Sequence, residues 1–129
     1  MTADFTADQV WNRAALESGG QNPGPGDNCL AALLAAHGLI CNGGVRHAID
    51  VLRNDEVAAA VRGYRYFGLT RVAEFLEGCV ADPESADWTD ENDKKANRRY
   101  VELVPEDAVL VAAFEKVFRA RGIEFAPEE

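Results

Sequence analysis

A chain of 129 residues with 13 Lys or Arg against 22 Asp or Glu carries a formal net charge of −9 with both histidines neutral. Its 47% hydrophobic content suits one globular core and excludes wholesale disorder. The excess of carboxylates excludes binding to nucleic acid or an anionic membrane through overall charge, since phosphate repels such a surface, and makes a basic protein the natural partner.

Phe5 followed by Thr6-Ala7-Asp8-Gln9-Val10 predicts a helix start, with Thr6 as N-cap, Gln9 closing a capping box and Phe5 stapled to Val10; the helix runs to about Ser18. Gly19-Gly20-Gln21-Asn22-Pro23-Gly24-Pro25-Gly26 sustains neither regular element and predicts a loop. Asp27 or Asn28 then caps a second helix, whose run Cys29-Leu30-Ala31-Ala32-Leu33-Leu34-Ala35-Ala36 is apolar on every face and belongs in the middle of a bundle. Asn42-Gly43-Gly44 predicts a tight interhelical turn, because two glycines after an asparagine permit positive φ.

Val45, Ala48, Ile49 and Leu52 recur at helical spacing through Arg53. Asn54 or Asp55 caps a further helix with Val57, Ala60, Val61 and Tyr64 as its apolar stripe, ending near Gly68. Thr70 opens the cleanest helix, in which Val72, Phe75, Leu76, Cys79 and Val80 fall at i, i+3, i+4, i+7 and i+8. Asp82-Pro83 ends it. A charged segment, 82–99, reads as a loop or short helix. Tyr100 to Val104 alternates like a strand but has no evident partner strand and is discounted. Pro105-Glu106-Asp107 opens the last helix, with Val109, Leu110, Ala113, Phe114, Val117 and Phe118 on its buried face. The expectation is an all-α chain, a compact bundle of about six helices in a single domain over residues 1–129. Its core holds Leu30, Leu33, Leu34, Ile49, Val61, Phe75, Leu76, Leu110, Phe114 and Phe118.

Cys29, Cys41 and Cys79 are odd in number and sit in apolar runs, which reads as reduced thiols of a cytoplasmic protein. Met1-Thr2-Ala3-Asp4-Phe5 lacks the basic start and apolar run of a signal peptide. The longest apolar stretch, Cys29 to Ile40, is broken by His37 and falls short of the ~20 residues that cross a bilayer.

His37, Cys41 and His47, with Cys29 upstream, are ligand-type residues close together, but no paired CxxC supports a zinc site, and the expectation is no metal and no cofactor. Cys41, His47 and Asp50 can be written as a thiol, imidazole and carboxylate set for nucleophilic chemistry, yet no strand, turn and helix elbow surrounds them. The chain therefore reads as a non-enzyme.

The most distinctive local feature is the run from Asp82 to Asp93, with six carboxylates (Asp82, Glu84, Asp87, Asp90, Glu91, Asp93) and no base, followed by Lys94, Lys95, Arg98 and Arg99. A solvated loop that aids solubility explains it equally simply. Added to Glu74 and Glu77, these acids form a candidate partner-binding set that stands in for phosphates in a basic groove. Pairs such as Asp90 with Lys94, or Glu91 with Lys95, would neutralise part of it. Trp88, inside the run, is expected to tuck the loop onto the core.

Trp11-Asn12, an apolar helix, Asn42-Gly43-Gly44, two further helices, then Phe67-Gly68-Leu69 and an amphipathic helix with Ala73, Phe75 and Leu76 together resemble a widespread bacterial domain of unknown function. Its best-understood members are small acidic DNA-mimic proteins. The resemblance implies an all-helical fold, a homodimer, and carboxylates displayed in a DNA-like pattern to a basic DNA-binding protein. In this chain Val45-Arg46-His47-Ala48-Ile49 follow the Asn-Gly-Gly, where the family places aromatic residues and a glutamine. An immunity-type inhibitor facing the basic cleft of a nuclease toxin is the alternative in the same binding class, and a thiol or metal enzyme around Cys41 is the alternative outside it.

Overall fold

A computed structural model describes residues 7–81 and 88–126 as seven α-helices and a closing 3-10 turn, with no strand among those residues. The helices are α1 (Ala7–Glu17), α2 (Pro25–Gly43), α3 (Val45–Val51), α4 (Asn54–Tyr66), α5 (Thr70–Ala81), α6 (Asp90–Leu103) and α7 (Asp107–Arg121), and the 3-10 turn is Gly122–Glu124. The fold is all-α. No helix of the described residues is long and apolar enough to cross a membrane. The expected N-terminal cap and staple, Thr6 and Phe5, lie outside the described residues.

The all-round apolar helix takes the central place that its composition predicts, for α2 packs against α1, α3, α4 and the 3-10 turn. Its closest neighbour is α4. There Gly63 faces the backbone of α2 so tightly that a Cβ on Gly63 would sit 2.4 Å from the carbonyl oxygen of Cys29. A glycine is what allows these two axes to approach. α5 packs on α4, and α6 bridges α3 and α5.

Leu30, Leu33, Val61, Leu76, Leu110 and Phe114 are buried as the periodicity predicts, while Leu34, Ile49, Phe75 and Phe118 are half-buried against that core. The α4 stripe of Val57, Ala60, Val61 and Tyr64 is buried throughout. Phe114 sits at the centre of an aromatic cluster, with ring centroids 5.6 Å from Trp11, 6.1 Å from Phe67, 5.6 Å from Phe118 and 5.7 Å from Phe125. These tilted, edge-on and, with Phe118, stacked contacts add to the area the rings bury.

Three expectations are corrected. The count rises from about six helices to seven because α6 is a helix of its own, covering Asp90–Leu103 where a charged loop or short helix was expected. Tyr100-Val101-Glu102-Leu103 belong to it, and what matters there is Ala96 and Tyr100, buried one turn apart, so the apparent alternation is coincidental. Thr89 caps α6 by accepting from the Asn92 N–H at 3.1 Å.

The caps of α2 and α4 also move. Gly24 precedes α2, and Asp27 is its third residue, reaching back to accept from the Gly24 N–H at 2.9 Å. Arg53 precedes α4, and Glu56 reaches back to the Arg53 N–H at 2.9 Å. In both, the carboxylate of the third helical residue does the capping: Asp27, the expected cap of α2, acts from inside the helix, and in α4 Glu56 takes the role expected of Asn54 or Asp55. Asn42 and Gly43 are the last residues of α2, not a turn, so Gly44 alone joins α2 to α3. Its φ of +96° lies in the region open to glycine and strained for other residues.

Candidate functional site

The predicted acidic set begins on α5, whose buried face of Val72, Ala73 and Leu76 turns Glu74 and Glu77 outward. Glu77 does not stand alone, because Arg65 of α4 holds its carboxylate in a two-pronged pair at 2.6 and 3.0 Å. The hydrogen bonds from Arg65 push the Glu77 carboxyl below its ordinary value. Asp82, Glu84 and Asp87 lie outside the described residues.

Asp90 and Glu91 are exposed in the first turn of α6, where negative charge also complements the positive end of the helix dipole. Asp93 is half-buried and accepts from Asn97 Nδ2 at 3.4 Å. Neither Asp90 with Lys94 nor Glu91 with Lys95 is paired among the described residues; the ion pair within α6 joins Arg99 and Glu102 at 3.4 Å. One groove runs between α5 and the start of α6: Glu74, Phe75 and Cys79 of α5 line it with Trp88, Asn92 and Lys95, and Glu74 is the one member of the predicted set among these lining residues. Its charged lining residues are one carboxylate, Glu74, and one cation, Lys95.

Trp88 packs against the core, as expected, and Arg46 of α3 places its guanidinium 5.7 Å from the centre of the indole ring. Arg46 also pairs with Asp50 at 3.1 Å. That pair takes Asp50 out of the Cys41, His47 and Asp50 set. His47 lies against Gly43, where an added Cβ would meet its ring at 2.4 Å.

A different polar constellation forms around His37, in the C-terminal half of α2. His37 Nδ1 is 2.7 Å from the Tyr100 hydroxyl of α6, and Nε2 is 2.9 Å from Asp107 Oδ1 at the start of α7. The Tyr100 hydroxyl is in turn 2.7 Å from that of Tyr64 on α4. His37, Tyr100 and Asp107 line a cleft of about 610 Å³ whose walls also include Cys41, Asn97 and Val104, with Tyr64 buried behind Tyr100. Asn97 Oδ1 accepts the Val45 N–H at 2.8 Å and so fixes the α2 to α3 joint beside Gly44.

Cys41 Sγ lies 3.5 Å from His37 Nε2 and 3.8 Å from Nδ1. A sulfur nearly equidistant from both ring nitrogens cannot lie on the in-plane axis of either, so this pair is not aligned for proton transfer. Burial, and then the nearby Asp107 carboxylate, push the thiol above its ordinary value, the opposite of what an activated nucleophile needs. Among the described residues no group of three His, Cys, Asp or Glu side chains is placed to hold a metal ion.

The polar partners that reasoning from sequence passed over are Asn97, Tyr100 and Asp107 at the cleft, the Tyr64 hydroxyl behind Tyr100, and Arg13, which pairs with the expected cap residue Asp27 at the start of α2. Tyr64 was placed in an apolar stripe, which is where its ring sits; nothing in the stripe predicts the partner of its hydroxyl. No family model, no curated protein and no solved structure matches the chain.

Proposed function

We propose that this chain is a non-enzymatic acidic interaction domain, a DNA mimic that occupies the nucleic-acid-binding surface of a basic partner protein. The observation that carries the reading is that every charged residue from Glu74 to Asp93 is a carboxylate, on a chain of net charge −9. A basic groove shaped for a phosphate backbone reads charge largely without regard to bases, so fixed carboxylates are suitable occupants. Exposed Glu74 on α5 and exposed Asp90 and Glu91 on α6 supply such charges on either side of the α5 to α6 connection. Glu77, already neutralised by Arg65, contributes least. The in-plane misalignment of Cys41 and His37 weighs against a thiol enzyme.

The test is capture of partners from a bacterial lysate on the immobilised chain, elution in a salt gradient, and competition with duplex DNA. Basic DNA-binding proteins released together at moderate salt, and displaced by duplex DNA, are the expected outcome. A variant with Glu74, Asp82, Glu84, Asp87, Asp90 and Glu91 changed to Lys loses that binding while its helical circular dichroism is kept. Unchanged binding by the folded variant overturns the reading, and a single nuclease released only at high salt replaces it with the immunity alternative. The homodimer that the resemblance implies belongs to the same proposal, and sedimentation at micromolar concentration decides it.

A further inference from the structure

The cluster around His37 can be resolved by counting protons. Tyr64 Oη, Tyr100 Oη and His37 Nδ1 are separated by two hydrogen-bonding gaps of 2.7 Å each. With His37 neutral and its proton on Nε2, there are two hydroxyl protons for the two gaps: Tyr64 donates to Tyr100, Tyr100 donates to Nδ1, and Nε2–H donates to Asp107. The other neutral tautomer fails twice. It places three protons in two gaps, and it sets the bare Nε2 lone pair against a carboxylate oxygen 2.9 Å away.

Protonating His37 adds a proton on Nδ1 and restores the mismatch. Three protons again face two gaps, so one tyrosine hydroxyl loses its acceptor. Tyr64 is 0% exposed and Tyr100 2%, so water cannot readily take the surplus O–H bond. The charge gained on the imidazole does improve its pairing with Asp107, but that side chain is 80% exposed and the pair is screened.

We infer that His37 is a proton-operated latch between α2 and the corner where α6 meets α7: uncharged, it closes the chain Tyr64, Tyr100, His37, Asp107; charged, it opens it. The titratable groups around the ring are Cys41 from α2, Tyr100 from α6, Tyr64 from α4 behind Tyr100, and Asp107 with its cleft-lining neighbour Glu106 from the start of α7. This inference does not depend on the acidic surface or its partner.

Nitrogen-15 NMR of the full-length chain tests it. At a pH where His37 is uncharged, its Nε2 should show the shift of a protonated nitrogen and Nδ1 that of a bare one. On acidification the amides of Tyr100, Val104 and Asp107 to Leu110 should move with the same midpoint as the His37 ring, and in His37→Gln that movement should vanish. A proton on Nδ1 in the neutral ring overturns the inference, as do amides that stay still while the ring titrates or a folded His37→Gln that keeps the movement. Should His37→Gln fail to fold, the two readings on the unaltered chain decide alone.

Discussion

Arg13 Nη2 lies 2.8 Å from Asp27 Oδ1, and the Asp27 side chain is wholly buried. This pair ties α1 to the first turn of α2, and it holds a third element too, since the other Asp27 oxygen accepts the N–H of Ala126 at 2.6 Å and that of Gly24 at 2.9 Å. Arg13 also donates to the Ala126 carbonyl at 2.8 Å. A buried carboxylate with this many donors satisfies its lone pairs, which makes its burial tolerable.

Removing one partner of such a pair leaves the other buried without compensation. Asp27→Ala should therefore lower unfolding free energy by about 3–5 kcal/mol, as read from the urea midpoint, with Asp27→Asn intermediate. A loss below about 1 kcal/mol for Asp27→Ala would show that the segment after α7 is not anchored there.

The α2 to α4 crossing makes a second prediction. A methyl on Gly63 meets the Cys29 carbonyl at 2.4 Å, and the obstacle is backbone that cannot swing aside. Gly63→Ala should cost about 1–3 kcal/mol in chemical denaturation even though alanine favours helix, while Gly78→Ala, with nothing within 4 Å of the added Cβ, should be neutral or stabilising.

Phe114 sets the scale for the core. Its ring is 1% exposed and contacts aromatic rings from α1, α7, the α4 end and the segment after the 3-10 turn. Phe114→Ala should cost about 3–5 kcal/mol, and Phe114→Leu clearly less, with near-ultraviolet circular dichroism reporting the loosened Trp11 environment.

All three tyrosines should resist ionisation. Burial is the main cause that pushes the Tyr64, Tyr66 and Tyr100 hydroxyls well above their ordinary range, and Glu124 adds to it at Tyr66. These groups are held neutral in the folded state. Their contribution to stability is fully present below the ordinary phenol value of about 10 and is lost as pH rises above it towards the folded values. Absorbance titration should find no tyrosinate at pH about 10 in the native chain, followed by cooperative ionisation as the fold opens. An ordinary phenol titration with the fold intact would contradict the burial of Tyr64 and Tyr100.

Much of the architecture was legible in the chain itself. The i, i+3, i+4 recurrence of Val72, Leu76 and their neighbours located α5, the stripe ending in Tyr64 located α4, and the apolar run from Cys29 placed α2 at the centre. The net charge and the base-free stretch from Glu74 to Asp93 are likewise properties of the sequence alone. Helical periodicity is readable because it reflects contacts between residues three or four apart, which any window of the chain contains.

What only the tertiary structure decided is which polar groups meet. Asp27 reads locally as a cap, yet its partners lie 14 and 99 residues away; His37 finds Tyr100 and Asp107 at separations of 63 and 70, and Asn97 finds the α2 to α3 joint at 52. Such pairings depend on how whole helices cross, and the crossings are set by packing of apolar faces that says nothing in advance about the hydroxyl, imidazole or amide at their edges. The acids of α5 diverge for the same reason: Glu74 and Glu77 are alike in sequence, but the register of α4 against α5 delivers Arg65 to one of them.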